Sequence, residues 1–144
     1  MGKVLKYQQE IQNAKLSSDC PNEGVEVSIL AYRFTNEDIS HANNWEPTFI
    51  VDKIRNRPPR TDNCNAFGMS MYDSEVNAKI AFSRIPPRNR KMMQLHCIAK
   101  GTIEKDDGLT TNINERGHFG FYQYKKTSIQ ENFEIIDLDS NGEI

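Results

Sequence analysis

Two short segments concentrate the cationic side chains of this 144-residue chain. The first reads KIRNRPPR over residues 53–60, and the second reads RIPPRNRK over residues 84–91. Guanidinium groups bind phosphate and carboxylate through paired N–H donors. The pattern therefore predicts an anion-binding surface, or, as the alternative, two solvated loops that the acidic ends neutralise. The candidate anion-binding residues are Arg55, Arg57, Arg60, Arg88 and Arg90.

The net charge of −2 conceals a strongly uneven distribution. Residues 53–100 carry ten basic and three acidic side chains, whereas the flanking parts are acidic. A concentrated cationic centre favours an acidic protein surface, a nucleotide or nucleic acid as partner. An isoelectric point near 5.9 and the absence of a nucleic-acid-binding motif argue against nucleic acid, although several aromatic residues could stack on bases.

Single residues outside these segments are candidates for binding a flat anionic ligand. Arg33 continues an apolar strand face, where it would pair with a pyrophosphate or, alternatively, with a surface acid. Tyr72 and Tyr122 offer rings for stacking. His118, beside Arg116, offers a hydrogen bond at the mouth of such a pocket.

Alternating apolar residues predict the elements that must position these side chains. Strands are expected over Val25–Phe34, 66–72, Met92–Ile103 and Asn132–Leu138. A helix is expected over about Ser74–Ser83, ended by Pro86 and Pro87. Shorter helices are expected over Tyr7–Lys15 and 36–44, and we interpret 45–51 as irregular and 53–65 and 109–118 as loops.

These elements predict an α+β fold with a mostly antiparallel sheet of four to six strands, one clear helix and one or two short helices. Residues 1–24 are expected to be a peripheral arm or short helix. Residues 25–138 are expected to form a single domain, and 139–144 a polar tail.

Several function classes are excluded or left without support. Apolar runs are far shorter than the ~20 residues of a membrane helix, and no secretory signal is visible. Three widely spaced cysteines without a Cys-x-x-Cys pair predict reduced thiols in a cytoplasmic protein and no metal site. No phosphate-binding loop or dinucleotide fingerprint occurs, so the catalytic residues stay unknown and an enzymatic activity is uncertain.

Two motifs carry a resemblance to known proteins. Tyr32–Arg33 at a strand end, followed by FGMSMYDS over residues 67–74 and by Ala78, resembles a small group of uncharacterised bacterial domains. More remotely, it is similar to the ADP-ribosyltransferase-like superfamily. The likeness spans roughly residues 30–103.

That resemblance implies a nicotinamide pocket and NAD as the ligand, with no metal. Arg33 would match the superfamily's first-strand residue, and Ser70 or Tyr72 the second-strand residue. The superfamily's glutamate has no match beyond Glu134, which lies on the last predicted strand.

Three functions follow as hypotheses. The first is a bacterial binding module, an accessory or immunity component, whose basic Pro-Pro loops engage an acidic partner. The second is an ADP-ribosyltransferase-like domain that binds or cleaves NAD, and the third is a weak nucleic-acid binder. The NAD hypothesis predicts that Arg33, Ser70 and Tyr72 line one cleft. The partner hypothesis instead predicts no cleft and an exposed apolar patch beside the Pro-Pro loops.

Overall fold

An antiparallel sheet of six strands organises the computed structural model, which describes residues 3–17 and 19–136. The spatial order is β4-β5-β2-β1-β3-β6, and every neighbouring pair is antiparallel. The strands are β1 (Ile29–Thr35), β2 (Met69–Tyr72), β3 (Cys97–Ile103), β4 (Gly108–Thr110), β5 (His118–Gln123) and β6 (Phe133–Ile135). The predicted α+β class and the antiparallel sheet are confirmed.

Four α-helices accompany this sheet within the described residues. They are α1 (Gln8–Ala14), α2 (Thr48–Ile54), α3 (Glu75–Arg84) and α4 (Pro87–Met92). The α3 helix starts where the sequence predicts, because the Ser74 hydroxyl accepts a hydrogen bond from the Asn77 amide and caps its first turn. Pro87 occupies the first turn of α4, where its missing N–H costs nothing.

The two faces of the sheet bury different partners. Alternate residues such as Ala31, Met71 and Phe121 build the main core on one face. On the other face Tyr32 and Ile98 pack against α3. The two-residue period of the strands produces this division, and it sets Ser70 and Tyr72 opposite to Met71.

The N-terminal segment packs closely against the sheet. Leu5 pairs with Tyr124 through an isolated bridge, and both are buried. Ile11 of α1 belongs to the same apolar cluster as Phe49 of α2 and Tyr122 of β5. Residues 3–17 therefore help to support α2, the helix that leads into the first basic segment.

Several elements differ from the sequence-based expectation. The helix predicted over 36–44 is a series of turns followed by a short 3-10 helix, Ala42–Trp45. The strand predicted from Met92 begins at Cys97, because Met92 ends α4.

Pro47 does not make residues 45–51 irregular; it precedes α2 and serves as its N-cap residue. Pro86 and Pro87 end α3 but also begin α4. The polar stretch after Gly108 contains β4, which pairs with β5. The tail 139–144 and the end of the last predicted strand lie outside the described residues.

The cysteines correct a second expectation. Cys20 and Cys64 form a disulfide across 44 positions of sequence, whereas Cys97 is a free, half-buried thiol. The prediction of three reduced thiols was wrong, because the folded chain brings the N-terminal arm beside the segment that precedes β2. No helix in the described residues is long and apolar enough to cross a membrane.

We expect reduction of the Cys20–Cys64 disulfide to lower the melting temperature, because a cross-link that closes a loop of this length contributes up to about 4 kcal/mol. The check is thermal unfolding with and without a phosphine reductant. Cys97→Ser should show the same drop as the wild type, and Cys64→Ser should show none. Three reactive thiols in the denatured, unreduced chain would contradict the disulfide.

Candidate functional site

A cleft opens where β1 and β2 stop pairing. The two strands share a single register pair, Tyr32 with Tyr72, whereas β1 pairs with β3 along its whole length. At the Thr35 end of β1 the guanidinium of Arg33 reaches towards β2, and its Nη1 donates to the Ser70 carbonyl oxygen over 2.9 Å. The Arg33 side chain thus connects β1 to β2 at the point where the pairing of their backbones ends.

Arg33 is held by backbone carbonyl oxygens alone. Besides Ser70, its Nε donates to Asn44 (2.5 Å) and its Nη2 to Glu46 (3.2 Å). No carboxylate of the described residues forms an ion pair with it. Burial lowers the pKa of Arg33 to about 10, because a cation removed from water is disfavoured, and the charge of Glu46 opposes this lowering.

The loop before α2 is built to present those carbonyls. The buried Asn44 side chain accepts from the Asn36 amide (2.7 Å) and donates to the carbonyls of Asp38 (2.8 Å) and Ile39 (3.2 Å). The Trp45 indole also donates to the Ile39 carbonyl, over 2.7 Å. These hydrogen bonds fix the loop over residues 36–45, which contacts the Arg33 guanidinium and forms one rigid wall of the cleft.

Glu46 lines the cavity, but its carboxylate contacts residues of the N-terminal arm. Its carboxylate accepts a short hydrogen bond from the Tyr7 hydroxyl and lies 3.6 Å from Lys6 Nζ. The direct contacts of the Glu46 carboxylate are therefore with the N-terminal arm. Its charge also acts on Arg33 at longer range, where it opposes the lowering of the Arg33 pKa.

The first basic segment supplies three more arginines to the same cavity. Arg60 binds the buried Asp52 carboxylate through two bonds of 2.9 and 3.0 Å, and Arg57 lies 3.8 Å from it. Arg55 donates to the Met93 carbonyl instead. Asp52 thus offsets one of these charges, and the cavity keeps an excess of positive charge.

Ion pairing and burial shift the pKa of these groups in opposite directions. The hydrogen bonds from Arg60 lower the pKa of Asp52 and raise that of Arg60. Burial lowers the pKa of Arg55, and the neighbouring Arg57 lowers it further. An anion in the cavity would oppose this lowering, because it favours the charged form of arginine.

The cavity has about 400 Å³ of volume and one aromatic side. The rings of Phe34 and Tyr72 are stacked, with centroids 5.2 Å apart. Such a volume falls within the roughly 300–1,000 Å³ of small-molecule sites. The other apolar side chains around it are Val51, Ile85, Met92, Met93 and Leu95.

A Ser–His pair stands at the boundary between this cavity and a second one of about 490 Å³. His118 Nε2 lies 3.0 Å from Ser70 Oγ, and the His118 ring packs edge-on against Tyr72 at 5.3 Å. Tyr72 borders both cavities. Burial lowers the pKa of His118, so its neutral form predominates near pH 7.

The structure separates the predicted site residues into three groups. Arg33, Ser70, Tyr72 and the arginines at 55, 57 and 60 line one cavity, and His118 contacts that group through Ser70. Tyr122 is buried and donates to the Cys64 carbonyl, so its ring is unavailable for stacking.

Arg88 and Arg90 form the third group, because α4 turns them away from the cavity. Arg90 lies 4.6 Å from the Phe82 ring centroid. Arg88 is exposed. The prediction of one anion-binding surface from both segments is therefore only partly realised.

The sequence did not predict the carbonyl acceptors of Arg33 or the partner of Arg60. The available signals were indirect: an Asn-Asn-Trp run after β1 and one acid, Asp52, directly before the basic segment. Neither pattern identifies a buried contact from its residue types alone. Among the described residues no cluster of His, Cys, Asp and Glu could hold a metal ion.

A scan against protein-family models, a search of curated proteins and a search of solved structures each returned no match. The resemblance to the ADP-ribosyltransferase-like superfamily therefore stays a prediction.

We expect Asp52→Asn to lower the free energy of unfolding by about 1–2 kcal/mol at pH 7, because a charge-assisted bond to Arg60 is lost. The folded-state pKa of Asp52 lies below its ordinary 3.8. The stabilisation that the ionised Asp52 gives the folded state is therefore fully present above the ordinary pKa of the carboxyl. It disappears as the pH falls through the folded-state pKa of Asp52.

Denaturant unfolding at pH 7 and at pH 3 or below checks this difference, with the exposed Asp19→Asn as a matched control. The gap between wild type and Asp52→Asn should narrow in acid. A gap that is independent of pH would show that the loss is not electrostatic.

Proposed function

We propose that this protein is a binding module for a small phosphate-bearing ligand of the nucleotide class, with NAD or ADP-ribose as the representative. The observation that carries the proposal is the Arg33 guanidinium, which lines the cavity and forms no direct ion pair with a carboxylate of the described residues. Three of its five N–H groups bond to backbone carbonyls, and the other two are those that would bind the anion.

The surroundings of Arg33 support a ligand with two chemically different parts. Arg55 and Arg57 extend the positive charge along one side, where a pyrophosphate would lie. The stacked Phe34 and Tyr72 offer an apolar side to a flat ring. An isolated phosphate would leave this second side unused.

The arrangement supports binding of NAD more than its cleavage. The NAD-cleaving superfamily uses a glutamate, and the carboxylate at this cavity, Glu46, is held by Tyr7 and Lys6. Glu134 lies on the outermost strand, β6, opposite Lys100 of β3. We therefore propose a ligand-binding role without glycosidic bond cleavage.

An acidic protein partner is the second candidate, as the sequence predicted for the basic Pro-Pro loops. Exposed apolar residues beside those loops favour it: Ile54, Met92 and Met93 are 48%, 62% and 38% exposed. Exposed Arg88 and Lys91 lie on the same short helix as Met92. Nucleic acid gains no such support, since Phe67, Phe121 and Tyr122 are all buried.

The compartment and the bacterial origin stay predictions. A cytoplasmic location was expected partly from reduced thiols, and the Cys20–Cys64 disulfide removes that ground. Disulfides persist mainly in oxidising compartments. An accessory or immunity role is compatible with either location.

Arg57→Gln should weaken binding of ADP-ribose and of inorganic pyrophosphate about five- to tenfold, because one cation beside the anion is lost. Isothermal titration at two salt concentrations measures this loss. Arg33 is unsuitable for the test, since its three carbonyl contacts also hold the loop before α2.

Arg88→Gln is the matched control, with the same charge change outside the cavity. It should bind like the wild type. Equal losses in both variants, or no binding of either probe by the wild type, would reject a defined site.

For the second candidate, we expect the double variant Arg88→Gln/Lys91→Gln to lose affinity for immobilised polyglutamate several-fold, whereas Arg57→Gln retains it. The basis is that α4 carries the exposed charges of the proposed docking surface. Surface plasmon resonance gives the comparison. Undiminished binding by the double variant would eliminate α4 as that surface.

A further inference from the structure

We propose that Ser70 and His118 form a nucleophile–base pair that hydrolyses a carboxylic ester with an anionic group. The pair is defined by the 3.0 Å contact between Ser70 Oγ and His118 Nε2. A nucleophile and its base must lie within hydrogen-bond distance, and this geometry meets that requirement.

The position of Ser70 gives an incoming ester access to the hydroxyl. Ser70 is exposed, and it lines the arginine cavity, whereas His118 lines the second cavity. The two cavities therefore meet at the reacting group. A substrate could lie across the junction, with its two halves on either side of Ser70.

The linings of the cavities indicate the class of substrate. The first contains Arg33, Arg55 and Arg57, which suit a carboxylate or phosphate on one half. The second combines Ile80 and Ala81 with charged side chains of both signs, so it sets no single polarity for the other half of the substrate. The anionic half rests on the proposed function, because it uses the same arginines.

The imidazole is suited to act as a base. Burial favours its neutral form, which leaves one ring nitrogen free to accept the Ser70 proton. The edge-on contact with Tyr72 restricts its orientation. Its backbone amide donates to Asn114 Oδ1 over 3.0 Å, which anchors the start of β5.

The reaction balances with water as the only co-reactant. Ser70 Oγ forms a bond to the ester carbonyl carbon and its proton passes to His118 Nε2. The carbon–oxygen bond to the leaving alcohol then breaks, and that oxygen takes the proton from His118. Water attacks the acyl-serine while His118 removes its proton, the acid leaves, and Ser70 regains a proton.

An uncharged alkyl fluorophosphonate tests the pair without involving the arginines. Ser70 Oγ should bond to phosphorus as fluoride leaves, and peptide mass spectrometry should locate the adduct on Ser70. We expect no labelling at this position in Ser70→Ala and at least about tenfold slower labelling in His118→Ala. Ser83→Ala, which removes an exposed serine that donates to the Ile80 carbonyl, should label like the wild type.

Unlabelled Ser70 in the folded wild type, or equal rates in wild type and His118→Ala, would overturn the pair. Circular dichroism confirms that each variant is folded, so that a loss of labelling is not a loss of structure.

A second assay separates this inference from the proposed function. Hydrolysis of 4-nitrophenyl hydrogen succinate should exceed that of 4-nitrophenyl acetate, and Arg57→Gln should raise the KM of the succinate ester alone. Labelling without this charge preference would reject the anionic substrate while supporting the pair. ADP-ribose binding without labelling would support the proposed function and reject the pair.

Discussion

The guanidinium of Arg33 is a cation removed from water and satisfied by three backbone carbonyl oxygens, and the architecture around the cleft depends on it. Such a group is costly unless its donors are paired. The Asn44 amide network exists to hold two of the acceptors in place. The third acceptor belongs to Ser70, so the same contact ties β1 to β2 where their backbone pairing has ended.

Leaving that cation without a carboxylate has an electrostatic consequence. Glu46 forms its direct ion pair with Lys6, and Asp52 is shared by Arg57 and Arg60, whereas four arginines line the cleft. The positive potential in the cleft is therefore not cancelled from within the described residues. A polyvalent anion would stabilise the folded state by replacing the missing counter-ion, which couples ligand binding to stability.

Sequence patterns predicted the parts of the fold that local rules determine. Alternation around Ala31 marks β1, and Ser74 marks the start of α3, because period and capping are local properties. Arg33 was recognised for the same reason, as a cation on an apolar face. Tertiary context decided the rest. Pro47 precedes α2, whose Phe49 shares an apolar cluster with Tyr122 of β5, and Pro87 begins α4 instead of interrupting structure.

Of the residues in the candidate site, mainly the charged ones could be predicted from the sequence. Arg57 and Arg60 were found from composition, but their shared partner Asp52 becomes visible only when α2 is folded. Tyr122 was predicted to bind a ligand because its ring could stack on one, but the ring is packed in the core. The approach of His118 to Ser70 depends on the register of β2 with β5, which no local pattern specifies.

Nuclear magnetic resonance of the arginine Nε–H groups, during titration with ADP-ribose, tests whether Arg33 is both buried and part of an anion site. We expect a resolved Arg33 signal, protected from exchange in the free protein, because its Nε–H is bonded to the Asn44 carbonyl. That signal and those of Arg55 and Arg57 should shift with ligand, whereas Arg88 should not. An Arg33 signal that exchanges as fast as Arg88, or equal shifts at both, would contradict this expectation.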